Sequence, residues 1–321
     1  MKALKIVFMG TPEFALPSLD LLQLSSHRLL GVVVPPDRPM GRGGKVNFVA
    51  VKKWALMKGI EIWQPEKLTG QKPFYEELKK MDPDLIITAA YGKLLPNSIL
   101  QLPKFGCINL HASYLPYYRG PAPIHRAIID GASFSGVTVI KMIEELDAGD
   151  IIMREKEDIS PFDTTGMLHD RLAARGASLL LKAVNALAEG TETYTPQEHS
   201  SATYAPPLQR EDEKLNWHET SLSLYNRIRG LNPWPGAYTT CKGKRIKVWK
   251  AAYPEEKPGR GIEKPGIILA VSDQSLTVST GDGSITLLEL QPAGKKCMDA
   301  GSFCCGYRVE AGDRLNGEKN L

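Results

Sequence analysis

Over its first half the chain switches repeatedly between short apolar runs and amphipathic stretches. That alternation constrains its fold more than any other feature. Leu4–Met9, Leu29–Val34, Leu85–Thr88 and Cys107–His111 read as buried strands, with Glu61–Trp63 as a further extended piece. Pro12–Leu24, Val49–Lys58, Phe74–Met81 and Pro121–Asp130 read as helices between and after them. Val137–Met142 and Ile151–Glu155 follow as strands, and Thr165–Ala188 as a long amphipathic helix carrying Leu168, Leu172, Leu179 and Leu187. Strands and helices in this order predict an α/β domain with a mostly parallel, doubly wound sheet. In such sheets ligands bind beyond the carboxyl ends of the strands.

Two polar side chains fall at that edge. Asn109 and His111 end the apolar run from Cys107, and a loop punctuated by Pro116 and Gly120 follows. Residues two apart on a strand share a face. An amide beside an imidazole can polarise a carbonyl and move a proton, although a hydrogen-bonded core pair would have the same sequence. The next carboxylate-rich loop holds Glu144, Glu145, Asp147 and Asp150, any of which could hold the imidazole. An aspartate followed by a small residue and glycine in a sharp turn suits an inward-pointing group. Phosphate-binding motifs are weak by comparison. The first strand ends at Gly10-Thr11-Pro12-Glu13, with one glycine where a dinucleotide site wants three, which disfavours a nicotinamide-dependent dehydrogenase. Gly41, Gly43 and Gly44 lack the Lys-Ser/Thr of a nucleotide-binding P-loop.

From about Glu189 the texture changes. Thr191–Gln209 has linker composition, followed by a helix at Ser221–Gly230. Strand-like runs then recur at Ala237–Thr240, Arg245–Ala251, Gly266–Val271, Ser275–Ser279 and Ser284–Leu290, which predicts a small β-barrel. The expected division is 1–189 as the catalytic domain, 190–207 as linker and 208–321 as the barrel.

Two basic clusters are candidate nucleic-acid contacts. Arg38, Arg42 and Lys45 lie in a Pro/Gly-rich loop after the second strand, at the ligand edge. Lys242, Lys244, Arg245, Lys247 and Lys250 surround Trp249 without an acidic residue among them. Strand periodicity puts Arg245, Lys247 and Trp249 on one face, as a nucleic-acid backbone would require, while a solvated charged surface would read the same way. The net charge of +4 does not by itself call for nucleic acid. With 42% hydrophobic and 24% charged residues, the composition is that of a soluble globular protein. The apolar run at the N-terminus is too short for a signal peptide, and no segment is long enough to span a bilayer. The five cysteines include no Cys-x-x-Cys pair, so reduced thiols in the cytoplasm are expected, with Cys304 and Cys305 as neighbours on a strand.

Asn109-x-His111-x-Ser113-x-Leu115-Pro116-x-x-Arg119-Gly120, taken with Leu146-Asp147-x-Gly149-Asp150, resembles the folate-dependent formyltransferase family. Pro36-Asp37-Arg38-Pro39-x-Gly41-Arg42-Gly43 and Asn232-Pro233-Trp234-Pro235-Gly236-Ala237 resemble the members that act on an aminoacylated tRNA. The resemblance implies a Rossmann-like catalytic domain followed by an OB-like barrel. It implies formyl transfer from 10-formyltetrahydrofolate to the amino group of methionine on initiator tRNA, in a cytoplasmic monomer that uses neither metal nor membrane. Asn109, His111 and Asp147 match the family's catalytic positions. Ser113, Tyr114, Leu115 and Pro116 match its folate-contacting turn. Thr88, Tyr91, Gly92, Ile143 and Leu146 match its pterin pocket, and Arg42 its tRNA-engaging loop arginine. Tyr114, Tyr117 and Tyr118 depart from the family's usual leucine and basic residue. Pro121 stands for a common alanine, and Val46–Ala50 lacks the usual prolines. Two other readings remain: formylation of a nucleotide-linked amino sugar, and an RNA-binding protein with an inactive enzyme domain.

Overall fold

In the computed structural model, residues 2–38, 47–68, 72–254 and 263–316 are described, and the chain divides into two units. The first holds the residues up to Pro123, Phe134–Asp158 and His169–Pro206. The second holds Ile124–Ser133, Ile159–Leu168 and the chain from Pro207 onward.

The first unit is built on β1 (Lys5–Gly10), β2 (Arg28–Val33), β3 (Ile62–Trp63), β4 (Leu85–Ala89), β5 (Cys107–His111), β6 (Phe134–Lys141) and β7 (Ile151–Asp158). Their order is β3-β2-β1-β4-β5-β6-β7. The first five run parallel, and β6 pairs antiparallel with both β5 and β7, a Rossmann-like sheet with antiparallel pairing at one edge. Strands buried on both faces must read as unbroken apolar runs. Those of β1 and β4 do, because α1 (Leu16–Leu24), α2 (Ala50–Lys58), α3 (Lys72–Met81), α4 (Asn97–Leu100) and the long α6 (Thr165–Glu189) flank the sheet. The expected helix from Pro12 opens instead as a 3₁₀ turn over Glu13–Ala15. Gly10 is required by close approach, since a Cβ there would stand 2.8 Å from the Phe8 ring and 3.0 Å from Ala89 O. α5 (Pro123–Ile129) begins at the end of this unit and continues into the second.

The linker-like segment behaves differently from its composition. Thr195 exchanges two backbone hydrogen bonds with Ile151, at 2.8 and 2.9 Å. Further on, Arg119 N donates to Thr203 O at 2.9 Å and Ala205 N to Arg119 O at 2.7 Å. Residues 195–205 therefore form a strap laid over the loop that leaves β5. Its lack of helical or strand periodicity is that of a segment pairing by isolated bridges, Ile151 with Thr195 and Arg119 with Tyr204.

The second unit is an antiparallel sheet of β8 (Ala237–Cys241), β9 (Lys244–Ala251), β10 (Ile268–Val271), β11 (Leu276–Ser279), β12 (Ser284–Pro292) and β13 (Met298–Asp299), in the order β10-β11-β12-β9-β8 with β13 on β12. The two outer strands are joined through Arg314 and Leu315, which bridge Ile267 and Cys241, giving the OB-like closure. Ile246, Val248, Val278, Ile285, Leu287 and Phe303 fill the interior, with Leu224 and Ile228 of α7 (Ser221–Gly230) packed among them. Cys304 and Cys305 are not on a strand. They lie in α8 (Ala300–Tyr307), whose first turn is capped by the Asp299 side chain accepting from Ser302 N at 2.7 Å. Gly301 permits this helix, because a Cβ there would overlap Asp273 O at 2.0 Å. All five cysteines are free. Among the described residues no helix is long and apolar enough to cross a membrane.

Candidate active site

β5 ends where the sequence places it, and its register sets two neighbours. Asn109 lies between Thr88 of β4 and Ile140 of β6, and His111 lies beside Thr138 of β6. Thr88 Oγ1 donates to Asn109 Oδ1 at 2.7 Å, which turns the amide so that Nδ2 faces Asp147 Oδ1 at 3.3 Å. His111 Nε2 is 2.9 Å from Tyr118 O. A carbonyl can only accept, so Nε2 carries a proton and Nδ1 is the nitrogen left to exchange one. Nδ1 lies 3.5 Å from Asp147 Oδ2, and the same oxygen accepts from Gly120 N at 2.9 Å. Of the four loop carboxylates, Asp147 is the one turned inward. Glu144 and Glu145 are exposed. Asp147 reaches this position with φ of +50°, a left-handed conformation that aspartate tolerates better than most side chains.

The turn after His111 is fastened at several points. Thr138 Oγ1 donates to Ser113 O at 2.7 Å and accepts from Leu115 N at 3.1 Å. Ser113 Oγ donates to Tyr117 O at 2.6 Å, and Arg154 Nη1 donates to Leu115 O at 2.6 Å. The tyrosines that depart from the family pattern form part of this bracing. Arg154 stacks 4.3 Å from the Tyr114 ring centroid, and Tyr114 and Tyr117 both meet Phe134 edge-on. Ser113, Leu115 and Pro116 are themselves buried, so this part of the turn offers a ligand its shape and main chain more than its side chains. Thr88 is buried against Asn109 and acts on the amide. Ile143 and Leu146 are 46% and 48% exposed. The Tyr91 hydroxyl is buried without a hydrogen-bond partner among the described residues, and burial pushes it up to about 12. Gly92 after it adopts φ of +77°.

Gln197, Thr203 and Arg119 also reach this loop. The first two were missed because a lone Gln and Thr in a Thr/Pro/Ser-rich stretch read as solvated; Arg119 could be seen only as part of a motif. Of the basic residues, Arg38 is exposed, while Arg42 and Lys45 lie outside the described residues. On β9, Arg245, Lys247 and Trp249 alternate with buried Ile246 and Val248, as the periodicity predicts. They are not free, however. Arg245 pairs with Glu213 at 2.7 Å and stacks on Tyr238, and Lys247 Nζ donates to Pro235 O at 2.6 Å. Trp249 donates to Gln291 at 2.8 Å and packs on Gly236. Lys244 is exposed, 5.7 Å from the Tyr307 ring centroid.

Residues 4–184 match the formyl transferase family, and residues 207–308 match the formyl transferase C-terminal domain. The chain belongs to the formyl transferase family. Its relatives include the methionyl-tRNA formyltransferases of Moorella thermoacetica, 44% identical over 97% of this chain and 99% of the relative, and of Bacillus subtilis, 46% identical over 98% and 99%. The family is one of enzymes, and this member is a formyl-transferring enzyme. Solved structures agree on the fold. HypX from Aquifex aeolicus in complex with tetrahydrofolic acid superposes with a TM-score of 0.66 at 18% identity, covering 96% of this chain. This chain spans only 48% of HypX. The sugar 3N-formyl transferase WlaRD superposes with a TM-score of 0.65 at 19% identity, covering 92% of this chain and all of its own.

Proposed function

We propose that the chain transfers the formyl group of 10-formyltetrahydrofolate to the α-amino group of methionyl initiator tRNA, with Asn109, His111 and Asp147 carrying the chemistry. The observation behind this reading is the carboxylate of Asp147 held between Asn109 Nδ2 and His111 Nδ1 at the carboxyl edge of β5. Identity of 44% and 46% to methionyl-tRNA formyltransferases over nearly the whole chain supports the acceptor. The residues present fit a folate. Half-exposed Ile143 and Leu146 offer apolar contact to a ring system, and buried Tyr91 offers an unpaired hydroxyl.

When bound, the folate supplies an electrophilic formyl carbon on a nitrogen leaving group. Asn109 Nδ2 keeps one hydrogen beyond the one directed at Asp147, and that N–H is available where negative charge develops on the formyl oxygen. One such donor typically lowers a barrier by about 3 kcal/mol. His111 Nδ1, opposed by the Asp147 carboxylate, would take the proton released by the attacking amine and return it to the departing nitrogen, while Nε2 stays bonded to Tyr118 O and fixes the ring plane. An α-amine has a reference pKa near ~8, so a useful fraction is already neutral and a strong base is unnecessary. Arg38, Arg42 and Lys45 are assigned to the acceptor end of the tRNA, and Lys244, Arg245 and Lys247 to its phosphates.

The deciding measurement is formyl transfer with charged initiator tRNA, charged elongator tRNA and a nucleotide-linked amino sugar side by side. Turnover confined to initiator methionyl-tRNA is expected. Preferred use of the amino sugar, or no transfer to any acceptor, overturns the reading.

A further inference from the structure

We propose that Gln197 is a positioning residue for the Asp147 carboxylate, acting as the middle member of a closed clamp that begins and ends at the Arg119-Gly120 dipeptide. The inference rests on the reading of Asp147 as part of the reacting trio and adds a residue from the strap. Gln197 is 5% exposed and uses its whole amide. Its Nε2 donates to Asp147 O at 2.8 Å and to Gly149 O at 2.7 Å, spanning the turn in which Asp147 holds φ of +50°. Its Oε1 accepts from Arg119 Nε at 3.1 Å and Nη2 at 2.8 Å. The next residue, Gly120, donates its N–H to Asp147 Oδ2 at 2.9 Å. One dipeptide thus holds the carboxylate directly and its backbone through Gln197.

The strap that carries Gln197 also reaches the imidazole. Thr203 Oγ1 accepts from Tyr118 N at 2.9 Å, and Tyr118 O is the partner of His111 Nε2. A left-handed aspartate relaxes unless its surroundings over-determine it. Here two carbonyls flanking the carboxylate are tied to one buried amide, so losing that donor lets the turn move while the fold survives. Displacements of about 1 Å at a reacting group can cost on the order of 100-fold in rate.

A bland alternative is that Gln197 only satisfies the guanidinium of Arg119, which is 1% exposed and has Glu145 at 3.6 Å and His199 at 3.3 Å as further neighbours. Gln197→Glu separates the two roles. The carboxylate keeps an acceptor for Arg119 and loses the donor to Asp147 O and Gly149 O. For the full chain acting on initiator methionyl-tRNA, we expect Q197E to lower kcat at least ~10-fold, with both KM values within about 3-fold of wild type. Its melting midpoint should fall, since two buried carbonyls lose their donor, so kcat is compared at a temperature where both proteins are folded. In an Asp147→Asn background Q197E should add no further loss, because the group it positions is already disabled. Wild-type kcat in Q197E, or an equal loss in both backgrounds, overturns the proposal. If Q197E melts below the assay temperature, Gln197→Ala is judged by the same two comparisons. Failure of the wild-type chain to transfer formyl at all would sink the proposed function itself, which is a different outcome from an active wild type with an indifferent Q197E.

Discussion

At the exit of β5 the polar groups turn inward onto one another, whereas along β9 they turn outward and are matched by neighbours on adjoining strands and turns. Asn109, His111 and Asp147 come from two separated segments, and each has at least one hydrogen bond that fixes its direction. The β9 cations look denser in sequence, with no acid among them, yet Glu213 and Glu289 come from elsewhere in the chain to meet Arg245 and Lys250. A sparse polar pair at a strand end can therefore carry more functional weight than a dense charged run. A run counts only charges close in sequence, while a β-sheet pairs residues that are far apart in it.

The sharpest way to break the comparison is at the trio. His111→Ala and Asp147→Asn should each cut kcat by at least ~100-fold while leaving circular dichroism and the melting midpoint near wild type. Near-normal turnover in either variant would reduce the β5 exit to a polar core pair, no more special than the β9 surface.

The contrast also explains what the sequence disclosed and what it concealed. β5 and α7 were legible to the residue, Cys107–His111 and Ser221–Gly230, because a short, largely apolar run bounded by turn residues and an amphipathic stretch are each strong local signals. Asn109 and His111 stood out through the strand end and their spacing, cues that suit a hydrogen-bonded core pair equally well. Asp147 was one of four loop carboxylates; the small-residue turn after it favoured it and the family resemblance singled it out, and the fold then sets it against Asn109 and His111. Gln197, the strap over the loop, and the closure of the barrel through Arg314 and Leu315 were invisible, because their pairings are isolated bridges with no repeat to read. α8 was mistaken for strand because Ala, Gly, Ser and Cys carry little pattern, and its capping Asp299 signals a helix only once the turn is seen.

The next largest effect is expected at Gly120. It has φ of +118°, and a Cβ there would lie 2.7 Å from Ala205 O on the strap. Gly120→Ala should destabilise the first unit by about 2 kcal/mol or more, read from urea denaturation. It should also lower kcat, since the Gly120 N–H is a bond to Asp147. Unchanged stability would mean that the strap yields easily, which would weaken the contrast with the surface pairs of β9.

A smaller effect lies in the second unit, where Arg126 donates to both carboxylate oxygens of Asp212, at 3.2 and 2.7 Å. Burial pushes the Asp212 carboxyl up, but the hydrogen bonds from Arg126 and from Gln209 N outweigh it, and the group stays below the usual carboxylate range. A carboxyl depressed in the folded state stabilises fully above its unfolded value near ~3.9 and loses that contribution as pH falls through its lower, folded value. Asp212→Asn should therefore lower stability at neutral pH and lose less than wild type on acidification. Denaturation midpoints measured between neutral and strongly acid pH check this. Parallel curves would show that the pair contributes nothing beyond a surface contact.

The smallest effect tests β9 itself. Lys244 is the more open cation, whereas Arg245 is held by Glu213 and Tyr238. If these cations meet tRNA phosphates, each contact releases counterions and adds about 0.7–0.9 to the slope of log affinity against log salt. Lys244→Ala should then weaken tRNA binding a few-fold at low salt and flatten the slope by about one contact. Glu213→Gln should act in the opposite direction, since it frees Arg245 and removes the negative charge paired with it. Binding measured by titration across a range of salt separates the outcomes. Slopes unchanged in both variants would make the β9 cluster a solvated surface balanced by its own acids, and would leave tRNA recognition to Arg38, Arg42 and Lys45.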